Sequence, residues 1–591
     1  MVMKTNTKSA LRLFKKHIVR FFTIVAIVLV SIGFVAGVGE VTNKISIASR
    51  HFYAEQNVSD IYIKSKNQFG FSPQQIQQIE NMFGSQNTLK SMCYEQIINE
   101  KITRIYVYDL TNAHINKLIL KNGNMPLVEN EVVCERKTTA IHQFEVGDTV
   151  ELMGQKYIIS GQVLNPLIIN NVEEPSFAYE DKHIENVIYI NSKILPMTND
   201  IYVTFQNRTN FAPFGDDYKQ QVEQAKQQIY DCLGDSVSVL SLYENFGMFT
   251  LSSYSEKVGL IGIIFVVFFT LVTLLVVYST MSRLLDEERM QIACQKTLGY
   301  GNLSVISKYV VFVLMATLLG GILAFGIGFA LTYILYTAFN AQYAMPPFPS
   351  ELNFIYYALT FLLMVVATTV LTFFTGRKII NKKPVILLTP KAPKSGKKVF
   401  VEKIPFIWNK LSFKYKSTCR NVLLFKSRFF MTVVSVIGST VLVLAGLGLL
   451  DCSGQIDGGM SIVMVAVAVV AFSAVLCSLV IYNLANINVS ERNREIATLM
   501  VLGYNQKEVT GYIFREIYIM CFIGAIFGMP FGALFLDFVF GIIDFGAVAD
   551  INWWTWIIAP LLTMFFGFLA TRLLYKKIIK TDMNASLKVL E

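Results

Sequence analysis

The chain has 591 residues, of which 53% are hydrophobic and only 16% are charged, and its mean hydropathy is +0.47. A soluble protein of this length could not cover so much apolar side-chain surface, so the composition argues against a soluble protein and predicts membrane integration. The formal net charge of +10 is not a nucleic-acid signature, because basic and acidic residues are concentrated in different parts of the chain.

Apolar runs give the predicted fold class, an α-helical polytopic membrane protein with eight transmembrane helices. Each run is long enough to cross about 30 Å of hydrocarbon as a helix. The first follows a basic arm and lacks a clear small-residue cleavage site, so we interpret it as an uncleaved anchor. The predicted spans are Phe21–Val38, Val258–Met281, Tyr309–Tyr336, Ile355–Phe374, Phe429–Leu450, Ser461–Tyr482, Ile513–Phe540 and Trp553–Leu574.

The distribution of Lys and Arg predicts the orientation. The N-terminal arm, the connection after the fourth span and the C-terminal tail are basic, whereas residues 340–353, 451–460 and 541–552 contain no Lys or Arg. The positive-inside bias therefore predicts that both termini are cytoplasmic. The arm at residues 11–22 and the segment at residues 420–430 both read as basic amphipathic helices on the inner surface.

Residues 41–255 form a long segment between the first two spans, with 17 Lys and Arg against 24 Asp and Glu. The orientation places it outside, and its patterns predict one α+β domain. Ser72 followed by proline is typical of a helix start, and Asp217–Leu233 has apolar residues at helical spacing. Thr103–Leu110 and Gly147–Leu164 have strand-like runs, the second with a hairpin around Gly154.

Cysteine and histidine spacing indicates no metal site. Cys93, Cys134 and Cys232 in the external segment are an odd number without short spacing, so one disulfide or free thiols are both open. No P-loop is present, since residues 394–398 lack its spacing and terminal hydroxyl, and no G-x-S-x-G elbow occurs. We therefore expect no catalysis and no cofactor in this chain, and energy must enter through another polypeptide.

A charged segment occurs twice. Residues 287–300 align with residues 491–504, and the register continues into the next span, where Gly320 meets Gly524. A polar helix repeated between spans predicts an element on which a partner outside the bilayer acts. The alternative is a solvated loop with ordinary snorkelling charges. The identical pairs are Glu287/Glu491, Ile292/Ile496, Ala293/Ala497, Leu298/Leu502, Gly299/Gly503 and Tyr300/Tyr504.

The second copy can form a docking helix. We expect it to expose Arg492 and neighbouring charges and to dock in a partner's groove with the apolar residues Ile496, Leu499 and Leu502. We also expect it to end at Gly503 in a left-handed cap. Arg515 and Glu516 begin the following span and are costly to bury, so we expect them at the interface, paired to neighbours, with gating as the alternative role.

The repeat divides the chain into two modules with one inserted domain. Residues 1–40 are predicted to form the amphipathic arm and the first span, and residues 41–255 the external α+β domain. The first module follows at 256–376, with a charged helix at 284–302. A basic linker with a second amphipathic helix at 377–428 leads to the second module at 429–591, with a charged helix at 488–508.

The pattern Glu-x-x-x-x-Ile-Ala-x-x-x-x-Leu-Gly-Tyr, followed by a glycine-dotted span, resembles the permease module of the FtsX/MacB-like ABC transporters. Residues 128–133, 146–150 and 157–161 are similar to that family's external domain, and the linker is similar to fused two-module permeases of Gram-positive type. The resemblance implies a bacterial cytoplasmic membrane protein whose two charged helices contact a separate ABC ATPase, as a homodimer that binds ATP and Mg.

The residues that the resemblance assigns to ATPase coupling differ between the copies. Glu288 stands where the second copy has Arg492, and Gln291 where it has Glu495, so the two contacts need not be equivalent. The candidate coupling residues are Glu287, Glu288, Arg289, Gln291, Lys296, Gly299 and Tyr300 in the first copy, and Glu491, Arg492, Arg494, Glu495, Leu502, Gly503 and Tyr504 in the second.

Two functions follow from the resemblance. The chain is expected to be a permease subunit that transmits ATP-driven motion to its membrane helices and external domain, for export or extraction of a peptide or lipid-like substrate. The alternative is a mechanotransmitting regulator or receptor that controls an extracytoplasmic protein, such as a cell-wall hydrolase, without moving cargo. Besides the ATPase, the expected partners are membrane lipid and an extracytoplasmic protein, and nucleic acid is not expected.

Overall fold

A computed structural model describes residues 5–136, 144–169, 174–206, 215–339, 343–349, 355–389, 402, 408–409, 412–424, 426–454 and 460–579. The chain divides into two compact units. The membrane unit comprises the described residues of Met1–Glu40, Val258–Thr332 and Leu352–Glu591, and the β unit those of Val41–Lys257 and Tyr333–Glu351.

Helices make up nearly all of the membrane unit. Among the described residues, eight helices are long and apolar enough to cross a membrane, which confirms the predicted number of spans. In chain order, the helices are α1 Thr5–Lys16, α2 Ile18–Glu55, α3 Pro73–Phe83, α4 Asp216–Leu233, α5 Phe246–Glu287, α6 Arg289–Thr297, α7 Asn302–Phe339, α8 Ile355–Ile380, α9 Pro384–Leu388, α10 Phe413–Leu424, α11 Lys426–Ser453, α12 Met460–Glu491, α13 Asn493–Val501, α14 Gln506–Ile543 and α15 Thr555–Ile579. The eight that are long and apolar enough to cross a membrane are α2, α5, α7, α8, α11, α12, α14 and α15.

The membrane helices are longer than their predicted spans. α2 continues to Glu55, although its predicted span ends at Val38, and α14 begins at Gln506 rather than Ile513. Hydropathy marks only the part suited to hydrocarbon, whereas backbone hydrogen bonding continues into the polar flanks.

Glycine contacts repeat between the modules. A Cβ atom at Gly320 of α7 would lie 2.7 Å from the carbonyl oxygen of Val25, and one at Gly524 of α14 would lie 2.6 Å from Cγ1 of Val436. These contacts place α7 on α2 and α14 on α11 at close range, which only small residues allow. The sequence repeat is therefore also a repeat in packing.

Aromatic side chains join the two modules. Phe34 of α2 stacks on Phe269 of α5 with ring centroids 4.7 Å apart. Phe472 of α12 lies 5.3 Å from Phe34, and Phe535 of α14 lies 5.9 Å from Phe265. Because these rings come from both modules, the modules form one packed membrane unit.

The β unit confirms the predicted α+β domain. Its main sheet has the order β12-β1-β11-β2-β3-β10-β5-β7-β4, and β6 pairs with β7. β2 joins two halves of this sheet, since residues 88–91 pair with β11 and residues 92–98 with β3. The strands are β1 Ile61–Ser65, β2 Thr88–Ile98, β3 Lys101–Tyr108, β4 Ile119–Gly123, β5 Glu131–Glu135, β6 Thr149–Leu152, β7 Gln155–Leu164, β8 Glu174–Pro175, β9 His183–Ile184, β10 Asn186–Asn191, β11 Asp200–Val203 and β12 Val237–Ser241.

Local signals in this domain are confirmed. The side chain of Ser72 accepts a hydrogen bond from the N–H of Gln75, and Pro73 is the first residue of α3. β6 and β7 form the predicted hairpin, with Met153 and Gly154 at φ +51° and +78° in the turn. Such a two-residue turn with both φ values positive matches the twist of the flanking strands.

The cysteine question is settled in favour of free thiols. All eight cysteines of the sequence lie in the described part of the chain, and each is free. Cys93 and Cys134 are buried in the β unit, and Cys232 on α4 is exposed. The sequence left one disulfide open, and the structure contains none among the described cysteines.

Candidate functional site

Both charged segments fold into a short helix between two membrane helices. α6 and α13 have nine residues each, and each starts after a break in the preceding membrane helix, at Glu288 and Arg492. At each break a single residue departs from helical backbone geometry. We call α6 and α13 the linking helices.

Both linking helices end in the same glycine cap, as predicted for Gly503. Gly299 has φ +86° and Gly503 has φ +88°, in the left-handed region that favours glycine. The N–H of Tyr300 donates to the carbonyl of Gln295, and the N–H of Gly299 to that of Lys296, both at 3.1 Å. The residues around Gly503 make the equivalent pair of bonds. This is the Schellman motif, which fixes the direction of the chain after the helix.

The first break is held by an ion-pair cluster. Glu288 has only 1% of its side chain exposed, and its Oε1 lies 2.7 Å from Nζ of Lys16 and 3.0 Å from Nε2 of His17. Burial alone would raise the pKa of Glu288, but the hydrogen bonds from His17 and Lys16 outweigh it and lower the pKa to about 2. Beside it, Arg20 donates two hydrogen bonds to Glu287, at 2.8 and 2.6 Å. The carboxylates therefore tie α5 to α1 and α2.

The second break is held by a different ion pair. Nη1 of Arg492 lies 2.6 Å from Oε1 of Glu516 on α14, and the two side chains are 5% and 6% exposed. A second carboxylate, on Glu495, lies 3.7 Å from the same nitrogen but is 55% exposed. Since a charge at this depth is costly without a partner, the guanidinium and Glu516 depend on each other.

The equivalent positions thus carry opposite charges with exchanged partners. A carboxylate at the first break is neutralised from the N-terminal arm, and a guanidinium at the second from the following membrane helix. The predicted non-equivalence of Glu288 and Arg492 has this structural reason. It also corrects the expectation that Arg492 is exposed, because its side chain is buried, and it shows the expected pairing of Glu516 with a neighbour.

A leucine and a tyrosine are exposed at the C-terminal end of each linking helix. Leu298 is 76% exposed and Leu502 is 69% exposed, and Tyr300 and Tyr504 are exposed beside them. The expectation that Ile496 faces a partner's groove is wrong, because Ile496 is fully buried within the membrane unit. We call these two leucines and two tyrosines the exposed tips.

The other predicted coupling residues differ in their surroundings. Nζ of Lys296 donates to the carbonyls of Ile380 and Lys382 at 2.5 and 3.0 Å, so it caps the end of α8. Gln291 is exposed and Arg289 is half-buried. The side chains of Glu491 and Arg494 lie outside the described residues. These contacts make Lys296 a structural anchor.

Arg515 and Glu516, grouped as gating candidates, have separate environments. Nε of Arg515 donates to the carbonyl of Gly511 at 2.9 Å, one turn earlier on the same helix. Glu516 instead turns inward to Arg492. The two neighbours therefore have different partners, and Glu516 belongs with the second linking helix.

Sequence reasoning missed a polar contact between the modules. Arg283, only 6% exposed on α5, donates to Asn488 at 2.8 Å and to Thr432 at 3.3 Å. Asn483 donates to Thr280 at 2.8 Å one turn away. The signal was present as asparagines in an otherwise apolar span, which are costly in lipid unless paired.

The comparison with known families agrees with the repeat. Residues 263–384 and 467–583 each match the FtsX-like permease C-terminal family, and each match contains one linking helix. No curated protein matches the chain.

Proposed function

We propose that this chain, an FtsX-like permease of two modules and by family a permease subunit of an ABC transporter, receives ATP-driven motion through its two linking helices. Members of the family typically work with a separate ABC ATPase and are generally non-catalytic components. In the proposal each linking helix contacts one subunit of an ATPase homodimer, which binds ATP and Mg.

The observation that carries the proposal is the pair of exposed tips. Leu298 and Leu502 are large apolar side chains open to solvent at equivalent places in the two modules, each next to an exposed tyrosine. A leucine and a tyrosine at the end of a rigid helix suit a groove on a partner, where buried aromatic and apolar anchors dominate binding. Two such tips suit a partner with twofold symmetry.

The ion pairs at the start of each linking helix explain how a displacement by the ATPase would be transmitted. Displacing α13 must carry α14 with it, because Arg492 binds Glu516 in a site closed to water. Displacing α6 must carry the N-terminal arm, because Glu288 binds Lys16 and His17. α2 and α5 are unbroken helices that include residues of both units, so motion in the membrane unit can follow the helix backbone into the β unit.

The β unit supports a peptide as the class of substrate. A cleft of about 360 Å³ is lined by Tyr62, Tyr106, Tyr202 and Arg104. The rings of Tyr62 and Tyr202 stack at 5.0 Å between centroids. The tyrosine rings offer apolar contact, and the Arg104 guanidinium beside them is paired with Glu95; such a mixed lining suits an extended peptide. The alternative function, control of an extracytoplasmic protein, uses the same transmission without a moved cargo.

Substitution of the tips tests the ATPase contact. Leu298→Asp and Leu502→Asp each place a charge in the proposed groove, and we expect each to weaken retention of the ATPase about 30-fold, as loss of a central anchor does. The double variant should abolish retention. The measurement is copurification of tagged ATPase with the full chain, followed by ATP hydrolysis in liposomes.

The matched control is Ile194→Asp, which changes an equally open apolar side chain, 82% exposed, in the β unit. It should leave retention unchanged. If the double tip variant still copurifies with a working ATPase, the contact lies elsewhere and the proposal fails. Stimulation of ATP hydrolysis by a peptide or lipid supports transport, whereas stimulation only by a protein partner supports the regulator.

The chain offers its own probes for orientation. We propose that the linking helices and both termini are cytoplasmic, from the basic bias of the flanking loops. Cys294 on α6 and Cys232 on α4 are both exposed. In single-cysteine variants on intact cells, a membrane-impermeant maleimide should label Cys232 and not Cys294. Labelling of Cys294 would reverse the orientation.

A further inference from the structure

A cleft of about 390 Å³ lies against the first linking helix in the membrane unit. Three elements line it: Lys8, Arg12 and Lys16 come from α1, Glu288 and Gln295 from the first break and α6, and Lys308 from α7. Leu298 and Tyr300, which the proposed function assigns to the ATPase contact, also line this cleft, whereas Lys8, Arg12 and Lys308 have no role in that function. Four cations and one carboxylate give its lining a positive charge.

Three of the four cations in the cleft form no ion pair within the described residues, and the fourth, Lys16, is paired with Glu288. Lys8 and Arg12 are exposed and make no ion pair within the described residues. Lys308 is only 7% exposed, and its ammonium forms no direct ion pair within the described residues, although the Glu288 carboxylate is near enough to attract it. The ammonium lies 4.8 Å from the ring centroid of Tyr309. A buried ammonium without a directly bound anion is costly. The single carboxylate, Glu288, is already engaged by Lys16 and His17.

The cleft also holds unused acceptors. Oε2 of Glu288 and Oε1 of Gln295 are buried and accept no hydrogen bond within the part of the chain that the structure describes. Buried acceptors are normally satisfied. A ligand that fits this lining therefore carries an anionic group for the cations and hydroxyl donors for the acceptors.

The surroundings of the cleft indicate where such a ligand comes from. Leu11 on α1 and Ile18, Val19 and Phe22 on α2 are large apolar side chains that are 49% to 56% exposed. Apolar side chains open to the outside next to a row of cations are typical of an element that lies in the interface of a bilayer with anionic lipid.

We propose that this cleft binds the headgroup of an anionic glycerophospholipid that carries free hydroxyls, of the phosphatidylglycerol class. The phosphate lies among Lys8, Arg12 and Lys308, and the headgroup hydroxyls donate to Gln295 and Glu288. The acyl chains follow the apolar side chains of α1 and α2. Because Gln295 is on α6, the lipid contacts the first linking helix directly.

The second module does not share the site. The position of Lys308 is occupied there by Tyr512, and the cleft against α13 is lined by Lys507, Arg515 and Glu508 together with aromatic side chains. Its lining holds no buried ammonium. Of the two clefts, the proposed lipid therefore binds only the one in the first module.

Native mass spectrometry of the purified full chain, titrated with phosphatidylglycerol, phosphatidylcholine or soluble glycerol phosphate, tests the proposal. One phosphatidylglycerol should bind more tightly than phosphatidylcholine and than glycerol phosphate. Each removed cation should weaken the phosphatidylglycerol site about 5-fold. We expect this for Arg12→Gln and for Lys308→Met, and about 25-fold for the pair Lys8→Gln and Arg12→Gln together.

The matched control is Lys15→Gln, which removes an exposed cation from the same helix but outside the cleft. It should leave the affinity within about 2-fold. An effect of Lys15→Gln equal to that of Arg12→Gln would overturn the site in favour of general surface charge. Equal binding of glycerol phosphate and phosphatidylglycerol would replace the lipid with a soluble phosphate ligand. The exposed Lys8 and Arg12 variants keep the test valid if Lys308→Met fails to fold.

Discussion

Replacing Glu516 by Gln should destabilise the membrane unit, because it removes the anion that holds Arg492. The two side chains meet at 2.6 Å with 5% and 6% of their surfaces exposed, so water cannot take over the role of the lost partner. Removing one member of such a buried pair costs about 3–5 kcal/mol, since the other charge stays buried.

The lower end of that range is expected here. Arg492 keeps a second carboxylate, Glu495, at 3.7 Å, but this side chain is 55% exposed. An exposed pair contributes no more than about 1 kcal/mol. We therefore expect Glu516→Gln to lower the free energy of unfolding by about 3 kcal/mol, and Glu495→Gln to lower it by less than about 1 kcal/mol.

The assay is equilibrium unfolding in mixed micelles, with a double-mutant cycle. Arg492→Gln should cost a similar amount, and Arg492→Gln with Glu516→Gln should cost clearly less than the sum, because no buried charge remains. Arg515→Gln is the control. Arg515 directly precedes Glu516 on α14, and among the hydrogen bonds of the described residues its Nε donates only to the carbonyl of Gly511. It should cost less than about 1 kcal/mol.

Two results would refute this reasoning. Equal costs for Glu516→Gln and Arg515→Gln would show that the pair contributes nothing beyond an ordinary side chain. Strict additivity in the double variant would show that the two groups do not interact. A further consequence concerns function: with Arg492 and Glu516 both neutral, the ATPase should still bind the exposed tips, but transmission from α13 to α14 should weaken.

Three further predictions concern single groups. Gly503→Ala should lower the free energy of unfolding by about 1 kcal/mol because φ there is +88°, whereas Gly511→Ala in the interior of α14 should be neutral or stabilising. Hydrogen bonds lower the pKa of Glu288 from 4.5 to about 2. The ionised carboxylate therefore stabilises the folded state above pH 4.5, and this stabilisation is lost as the pH falls toward 2. Glu288→Gln should flatten the acid unfolding curve over that range. Burial raises the pKa of Asp200 from 3.8 to about 6, so the β unit loses stability as the pH rises through that interval. Asp200→Asn should therefore stabilise β11 by about 2–3 kcal/mol at pH 8 and by almost nothing near pH 4, measured by hydrogen exchange of its amides.

Much of the fold was predictable from short stretches of sequence. The eight spans follow from hydropathy, and the helix start at Ser72, the hairpin at Gly154 and the cap at Gly503 follow from residues within one turn of each other. Such signals depend on backbone conformation and hydrogen bonds between near neighbours, so they survive in any tertiary context.

The amphipathic arm shows where this reasoning stops. Its pattern predicts a helix on the membrane surface, and α1 does form. However, Leu13 is buried, and the ring centroid of Phe14 lies 5.0 Å from that of Phe312 on α7. One face of the helix therefore packs on the other membrane helices. Hydropathy alone does not distinguish a face that meets lipid from a face that meets protein, because both are apolar.

The sequence by itself determined the eight membrane-spanning helices, the inserted domain, the repeat and the glycine caps of the linking helices. Only the tertiary structure decided which charges are available to a partner. Glu288 and Arg492 were candidates for direct contact, but both are buried against partners from other helices, Lys16 of α1 and Glu516 of α14. The physical reason is that a buried charge in a membrane protein is stabilised by counter-charges and hydrogen-bond partners, and folding brings those groups from other helices.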